Sequence, residues 1–280
     1  MARERAGESM DGVSKGVVEG FSELDIRSGL VTRRIGAALH LFQDIDSTSE
    51  QAALLAERGA SEGTVVIAHA QRRGRGRMGR QWASPAGLGI YFSVILRPPI
   101  PAQRAPALAL LGAAAAAEAI DRATGLATGI KWPNDLIVRE RKVGGVLGEA
   151  AVEGASLQHV ILGIGLNVNQ TEADFEGRLR TTATSLRIES GRFIDRIAMI
   201  RSLCEILDSW YERFLSDGIG PILERVRERC LTLGRQVVGR SGDEELGGLA
   251  VEIDDAGALV IRDVKGQLRR LFAGDVTLTG

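Results

Sequence analysis

"QRRGRGRMGRQW", residues 71–82, decides how the chain has to be read. Five arginines and three glycines stand in twelve positions, closed by Trp82. Gly74, Gly76 and Gly79 spell G-x-G-x-x-G directly after "TVVIAHA" (64–70), a run of buried-strand type. In a dinucleotide-binding fold that turn would enter a helix, and an acidic residue would follow about 20 positions on. Here Pro85 and a second strand-like run, "GLGIYFSVILRP" (87–98), follow instead, and no Asp or Glu occurs between Glu62 and Glu118. The Gly-Lys-Ser/Thr ending of a Walker A loop is missing as well. On composition alone the segment is either a solvated basic turn or an anion reader. Glycines let a backbone approach an anion, and each arginine offers a planar fork of donors. Arg72, Arg73, Arg75, Arg77 and Arg80 so close together repel one another, which predicts a loop that stays mobile until an anionic ligand organises it. A nucleic-acid patch would interleave aromatics for stacking, and Trp82 stands alone.

Outward from the loop, "LHLFQDID" (39–46) has strand spacing and meets "STSE", where Ser47 and Glu50 have the form of a capping box. "SEQAALLAERG" then predicts a helix stopped by Gly59, and an alanine-rich helix is expected over about 104–123. Three strand segments follow: "GIKWPNDLIV" (129–138), "RKVGGVLGEAAVE" (141–153) and "LQHVILGIGLNV" (157–168). Residues 195–230 carry helical periodicity, with Trp210, Tyr211 and Phe214 as core candidates. From Gly234 the text changes to short strands between Gly/Asp turns, a small all-β unit of roughly 45 residues. The whole reads as α+β with a C-terminal barrel. Its expected units are an N-terminal extension, partly disordered, over 1–35, a main domain over 36–232 and the small barrel over 233–280.

The 280 residues are 44% hydrophobic, enough for a sizeable core, and the formal net charge of −1 gives no global field toward nucleic acid or a membrane surface. The basic run is therefore a local feature. Cys204 and Cys230 are far apart and read as ordinary reduced thiols, and no metal-ligating pattern is seen. The first twenty residues lack the apolar stretch of a signal peptide, and no run reaches the length of about 18 apolar residues that spans a bilayer. A cytoplasmic protein without membrane partners is expected.

"DSTS" (46–49), "QRRGRGRMGRQW" (71–82), "KWPNDL" (131–136), "RKVGGVLGE" (141–149) and "GIGLNVN" (163–169) together resemble biotin protein ligase, in order and spacing, from about residue 39 to the C-terminus. The resemblance implies a central mixed sheet with flanking helices, like the class II aminoacyl-tRNA synthetase catalytic domain, and an SH3-like C-terminal barrel. It implies ATP with Mg²⁺ as cofactors, biotin as substrate, a carboxylase's biotin carboxyl carrier domain as partner, and a monomer or weak homodimer. Ser47, Thr48, Ser49 and Gln71 match the positions that bind the ureido ring, with Ser49 standing where family members usually have Asn. Arg75, Gly76, Arg77 and Lys142 match the ligand-contacting loop and cation positions, and Lys142 would lie between the biotin carboxylate and the α-phosphate. Trp82, Lys131, Asn134 and Asn167 match the nucleotide side, and Asp135 would help metal placement or help deprotonate the incoming lysine. Lys142, Arg77 and Asp135 are thus the catalytic candidates; Trp132 reads as core, and Gly144 and Gly145 as keeping the strand thin beneath the ligand.

Two other readings remain. A lipoate or octanoyl ligase shares the general architecture but would handle a long apolar chain, with no use for the Gln71 amide beside the Ser47 and Thr48 hydroxyls. A biotin-responsive repressor would carry a winged DNA-binding module, for which the roughly 38 residues before the first expected strand are too few and too polar. No nucleic-acid partner is therefore expected.

Overall fold

The computed structural model describes residues 20–241, 244–272 and 274–278. The disorder expected for residues 1 to about 20 falls, except for Gly20, on positions outside them. The larger unit is built on a seven-stranded sheet in the order β1-β2-β3-β7-β6-β5-β4. Its strands are β1 (Leu39–Ile45), β2 (Val65–Gln71), β3 (Gly89–Leu96), β4 (Gly129–Lys131), β5 (Asp135–Val138), β6 (Arg141–Glu153) and β7 (Ser156–Asn167). β1 and β2 are parallel, joined through α2 (Thr48–Glu57), and the remaining neighbours are antiparallel, so the sheet is mixed.

Helices lie on both faces, which is why β2 and β3 read as continuously apolar rather than alternating. On one face Ala52 and Ala56 of α2 pack on Val66, Ile95 and Ile161. On the other lie α3 (Ala107–Thr124) and α6 (Arg196–Asp217). Ala113 to Ala117 of α3 are fully buried, and short side chains there let the helix approach the sheet closely. The periodic stretch 195–230 divides at Gly218 into α6 and α7 (Gly220–Arg229). Tyr211 and Phe214 are buried as expected, whereas Trp210 is half-buried and donates its indole N–H to Glu118 at 3.1 Å.

Residues 20–35 pack into the same core. Phe21, Ile26 and Ile35 are buried around α1 (Glu23–Arg27), which Ser22 and Asp25 close with a capping box. Asp208 of α6 accepts the backbone N–H groups of Arg33, Arg34 and Ile35 at 2.8, 2.9 and 2.8 Å, tying down the segment that follows.

The C-terminal unit is an antiparallel five-stranded sheet in the order β11-β10-β9-β8-β12. It comprises β8 (Gln236–Ser241), β9 (Glu244–Ile253), β10 (Leu259–Arg262), β11 (Leu268–Leu271) and β12 (Asp275–Leu278). Trp132 fastens it to the larger sheet. The indole is 2% exposed and donates to the Gly257 carbonyl at 3.0 Å, so the expectation of a core residue holds.

Candidate active site

Three adjacent strands pave a floor thinned by glycines. The pairings across β3, β7 and β6 set Ser93, Gly163 and Leu147 in one row and Tyr91, Gly165 and Gly145 in the next. A Cβ at Gly165 would stand 2.7 Å from the Trp82 indole, and one at Gly163 would stand 2.7 Å from Ser49 Oγ. Glycine is required here by close approach. Gly145 faces this floor, but a Cβ at Gly144 would meet Leu166 at 2.6 Å, so that glycine serves packing beneath the strand. Above the floor opens a cleft of about 1030 Å³.

One end of the cleft is uncharged and hydrogen-bonded. Ser47 caps α2, accepting from the Glu50 amide, and the helix start brings Thr48 and Ser49 to the floor. Gln71, the last residue of β2, accepts from the Thr48 amide at 2.8 Å and its hydroxyl at 3.1 Å, and donates to Ser84 Oγ at 2.8 Å. Ser93 donates to Thr48 Oγ1 at 2.9 Å and lies 3.1 Å from Ser49 Oγ. The result is a continuous chain Ser84–Gln71–Thr48–Ser93–Ser49, whose mutual bonds fix each rotamer. Ser84 and Ser93 escape a motif-based reading. The one available signal is a polar residue in the middle of the apolar run of β3, where Ser93 is fully buried.

The other end carries charge. β5 and β6 form a hairpin whose two turn residues, Arg139 and Glu140, have positive φ of 45° and 71°, and this tight reversal brings Asp135 opposite Gly145, with Lys142 near the turn. Lys142 Nζ donates to Asp135 Oδ1 at 2.5 Å and stands 5.5 Å from the centre of the Trp82 ring. Arg77 donates to Asn134 Oδ1 at 3.2 Å and to the Gly274 carbonyl at 3.1 Å, and Asn134 donates in turn to the Val146 carbonyl. Asn167 donates to the Thr184 carbonyl at 3.0 Å and accepts from Gln170 at 3.3 Å. The Trp82 indole N–H is buried and has no acceptor among the described residues.

The arginine loop is not the self-repelling segment expected from composition. Acidic side chains remote in sequence pair with Arg72, Arg73 and Arg75. Asp46 accepts from Arg72 at 2.8 Å and Arg73 at 2.6 Å, and Arg75 pairs with Glu149 at 2.6 Å. The two guanidiniums at Asp46, Arg72 first, hold its carboxyl below the usual carboxylate range, while burial pushes that of Glu149 up against the pull of Arg75. Within the loop the amides of Gly76 and Trp82 reach the carbonyls of Arg80 and Gly74, each at 2.8 Å. Local composition contained no hint of these partners, which tertiary folding supplies.

Thr48, Ser49, Gln71, Arg75, Gly76, Arg77, Trp82, Lys131, Asn134, Asp135, Lys142 and Asn167 all line the cleft. Ser47 is not among them: it is 1% exposed, and its hydroxyl accepts from the Glu50 amide at the start of α2. Arg178, Thr182 and Arg235 also line the cleft. No local pattern marks them, since they come from the single helical turn over 179–182 with its N-cap and from the C-terminal unit. Among the described residues no cluster of three or more His, Cys, Asp or Glu could hold a metal ion. Cys204 and Cys230 are unbridged and do not themselves line the cleft.

A cleft with neutral donors at one end, cations at the other and an indole between them, on a mixed sheet with a small β unit attached, suits a ligase that joins a carboxylic acid to a nucleotide. The family model described as Biotin/lipoate A/B protein ligase family matches residues 41–167, and that of the biotin protein ligase C terminal domain matches residues 232–278. The chain is 40% identical over 259 residues to the bifunctional ligase/repressor BirA of Bacillus spizizenii, covering 92% of this chain and 79% of that protein. It is 35% identical to the biotin--[acetyl-CoA-carboxylase] ligase of Paracoccus denitrificans, covering 79% of this chain and 93% of that protein. The fold matches the Aquifex aeolicus biotin protein ligase solved with biotin and ATP, with a TM-score of 0.74 at 29% identity, over 87% of this chain and 99% of that one. The chain belongs to the biotin protein ligase family.

Proposed function

We propose that the protein activates biotin with ATP to biotinyl-5′-AMP and then transfers biotin to a lysine of a biotin carboxyl carrier domain. The observation that carries this reading is the neutral Thr48–Gln71 chain and the Lys142–Asp135 pair facing one cleft across the Trp82 indole. A ureido ring is uncharged and both donates and accepts, so it suits hydroxyls and an amide. A carboxylate and an α-phosphate repel each other, so their encounter needs fixed cations.

In the first half-reaction a biotin carboxylate oxygen bonds to the α-phosphorus and the bond to pyrophosphate breaks. Lys142 supplies positive charge between the two anions, with Asp135 holding the ammonium in place. Arg77 adds a second cation, and Trp82 offers a face on which the adenine stacks. In the second half-reaction the carrier lysine, as free amine, bonds to the acyl carbon, AMP departs, and the amine's proton leaves toward the carboxylate of Asp135. Mg²⁺ would arrive with the nucleotide: Asp135, a carboxylate in the cleft lining, is a hard oxygen donor that would hold an ion keeping its phosphate and water ligands. When bound it would lower the charge of the polyphosphate.

The test is the intact mass of a biotin carboxyl carrier domain after incubation with the protein, biotin and MgATP. The expected result is addition of one biotinyl group, and none with lipoate in place of biotin. Modification by lipoate but not by biotin would transfer the reading to the acyl-chain ligases.

A further inference from the structure

The cleft has a second wall, and one arginine outside the cleft holds both ends of it. Between β7 and α5 (Leu186–Ser190) the chain makes one 3₁₀ turn at Glu172–Asp174 and one helical turn, α4 (Leu179–Thr182). Asp174, Phe175, Arg178, Leu179 and Thr182 of this segment face the cleft. Two isolated turns have little cooperative stability of their own, so the wall depends on how its ends are fastened.

At the exit end, the Thr184 amide donates to the Lys142 carbonyl at 2.9 Å, and the Thr184 hydroxyl donates to Glu189 at 2.6 Å. The Glu189 side chain is 3% exposed. At the entry end stands Glu172. Arg141 bridges the two, with Nη1 3.2 Å from Glu172 and Nη2 2.8 Å from Glu189. Arg139 lies 3.7 Å from Glu189 but is 70% exposed, so Arg141 is the closer and better shielded partner. Arg141 directly precedes Lys142 and does not line the cleft.

We propose that Arg141 is a positioning residue: a two-armed clasp that sets the wall 172–184 against Lys142 and thereby keeps the adenylate enclosed between the half-reactions. This rests on reading the cleft as the biotinyl-AMP site. A planar guanidinium reaches two carboxylates at once, which an ammonium on a flexible stem does not do in the same geometry. Its loss leaves Glu189 buried with Arg139 as its one remaining cation among the described residues.

Amide hydrogen exchange on the full chain tests the clasp without any ligand. In Arg141→Gln the amides of 172–184 are expected to exchange faster while β7 is unchanged. Glu172→Gln, which removes only the exposed arm and leaves Glu189 paired, should do the same to a smaller extent, and Arg141→Lys should fall between. With biotin and MgATP, Arg141→Gln should release free biotinyl-AMP about tenfold faster, with first-turnover pyrophosphate release within about threefold of the parent. Exchange of 172–184 equal to the parent in both Arg141→Gln and Glu172→Gln would overturn the clasp, as would a proportional slowing of both half-reactions with no added release. If exchange responds but the parent forms no biotinyl-AMP, the clasp stands and the proposed substrate falls.

Discussion

Lys142 shows how much one side chain can mean and how little it announces. Alone it is a lysine at a strand end; beside Asp135, over the Trp82 ring and in the same cleft as Arg77, it becomes the charge on which adenylation would depend. Lys142→Ala is expected to lower the rate of biotin-dependent pyrophosphate release roughly 10²- to 10³-fold, the range for removing one preorganised electrostatic contact. The thermal midpoint should change little, because the residue is a third exposed and pairs at the surface of the cleft. Normal pyrophosphate release by a folded variant would remove Lys142 from the chemistry. At the same scale, Ser47 and Ser93 exchange the parts that motif and burial suggest: Ser47 is enclosed in a helix cap, and Ser93 is bonded to both Thr48 and Ser49. The motif was legible in "DSTS", but which of its hydroxyls turns inward depends on the helix geometry.

At the scale of elements, the loop 71–82 and the strands under it act as one piece. Gly165→Ala would place a methyl group within 2.7 Å of the Trp82 indole, and the ring must lift. Nucleotide affinity by calorimetry is expected to fall about tenfold, the equivalent of roughly 1.4 kcal/mol, with an unchanged circular dichroism spectrum. A second prediction concerns β2 and the segment before α1. His69 is buried against Phe21, its Nε2 lying 3.2 Å from the Phe21 carbonyl, with the rings 4.4 Å apart. Burial first, and then the nearby Arg196, hold the imidazole below its ordinary value of 6.5, partly offset by the bond to Phe21. A depressed value means that the unfolded chain takes up the proton more readily. The contribution to stability is therefore present above pH 6.5 and is lost as pH falls through the lowered value. Melting temperatures between pH 7 and pH 5 should decline less for His69→Gln than for the parent; parallel curves would show that His69 does not govern this range.

Over the whole molecule, the two sheets share the residues that hold them together with those that line the cleft. Trp132 lies between Lys131 and the Asn134–Asp135 pair, and its indole N–H reaches across to the C-terminal unit. Arg77 makes a similar crossing from the loop to Gly274. Trp132→Phe removes one buried hydrogen bond and part of a large ring, and a loss of about 2–3 kcal/mol is expected in urea unfolding. The biotinylation rate should fall at the same time, since the strand that carries Lys131 is loosened. An unchanged unfolding midpoint would mean that the two units are joined mainly elsewhere.

What local sequence determined on its own was the succession of the main strands and longer helices, the failure of the G-x-G-x-x-G pattern to enter a helix, the all-β character after Gly234, and a set of cleft residues gathered into five short motifs. These are short-range matters, set by periodicity, turn chemistry and the steric demands of glycine and proline. Tertiary structure alone decided the rest. It brought Asp46 to Arg72 and Arg73 and Glu149 to Arg75, partners that offset the repulsion within the loop. It also set Glu172 and Glu189 on the two arms of Arg141. The physical reason is that a charge is stabilised by whatever lies a few ångströms away in space, and only the folded chain determines which residues those are.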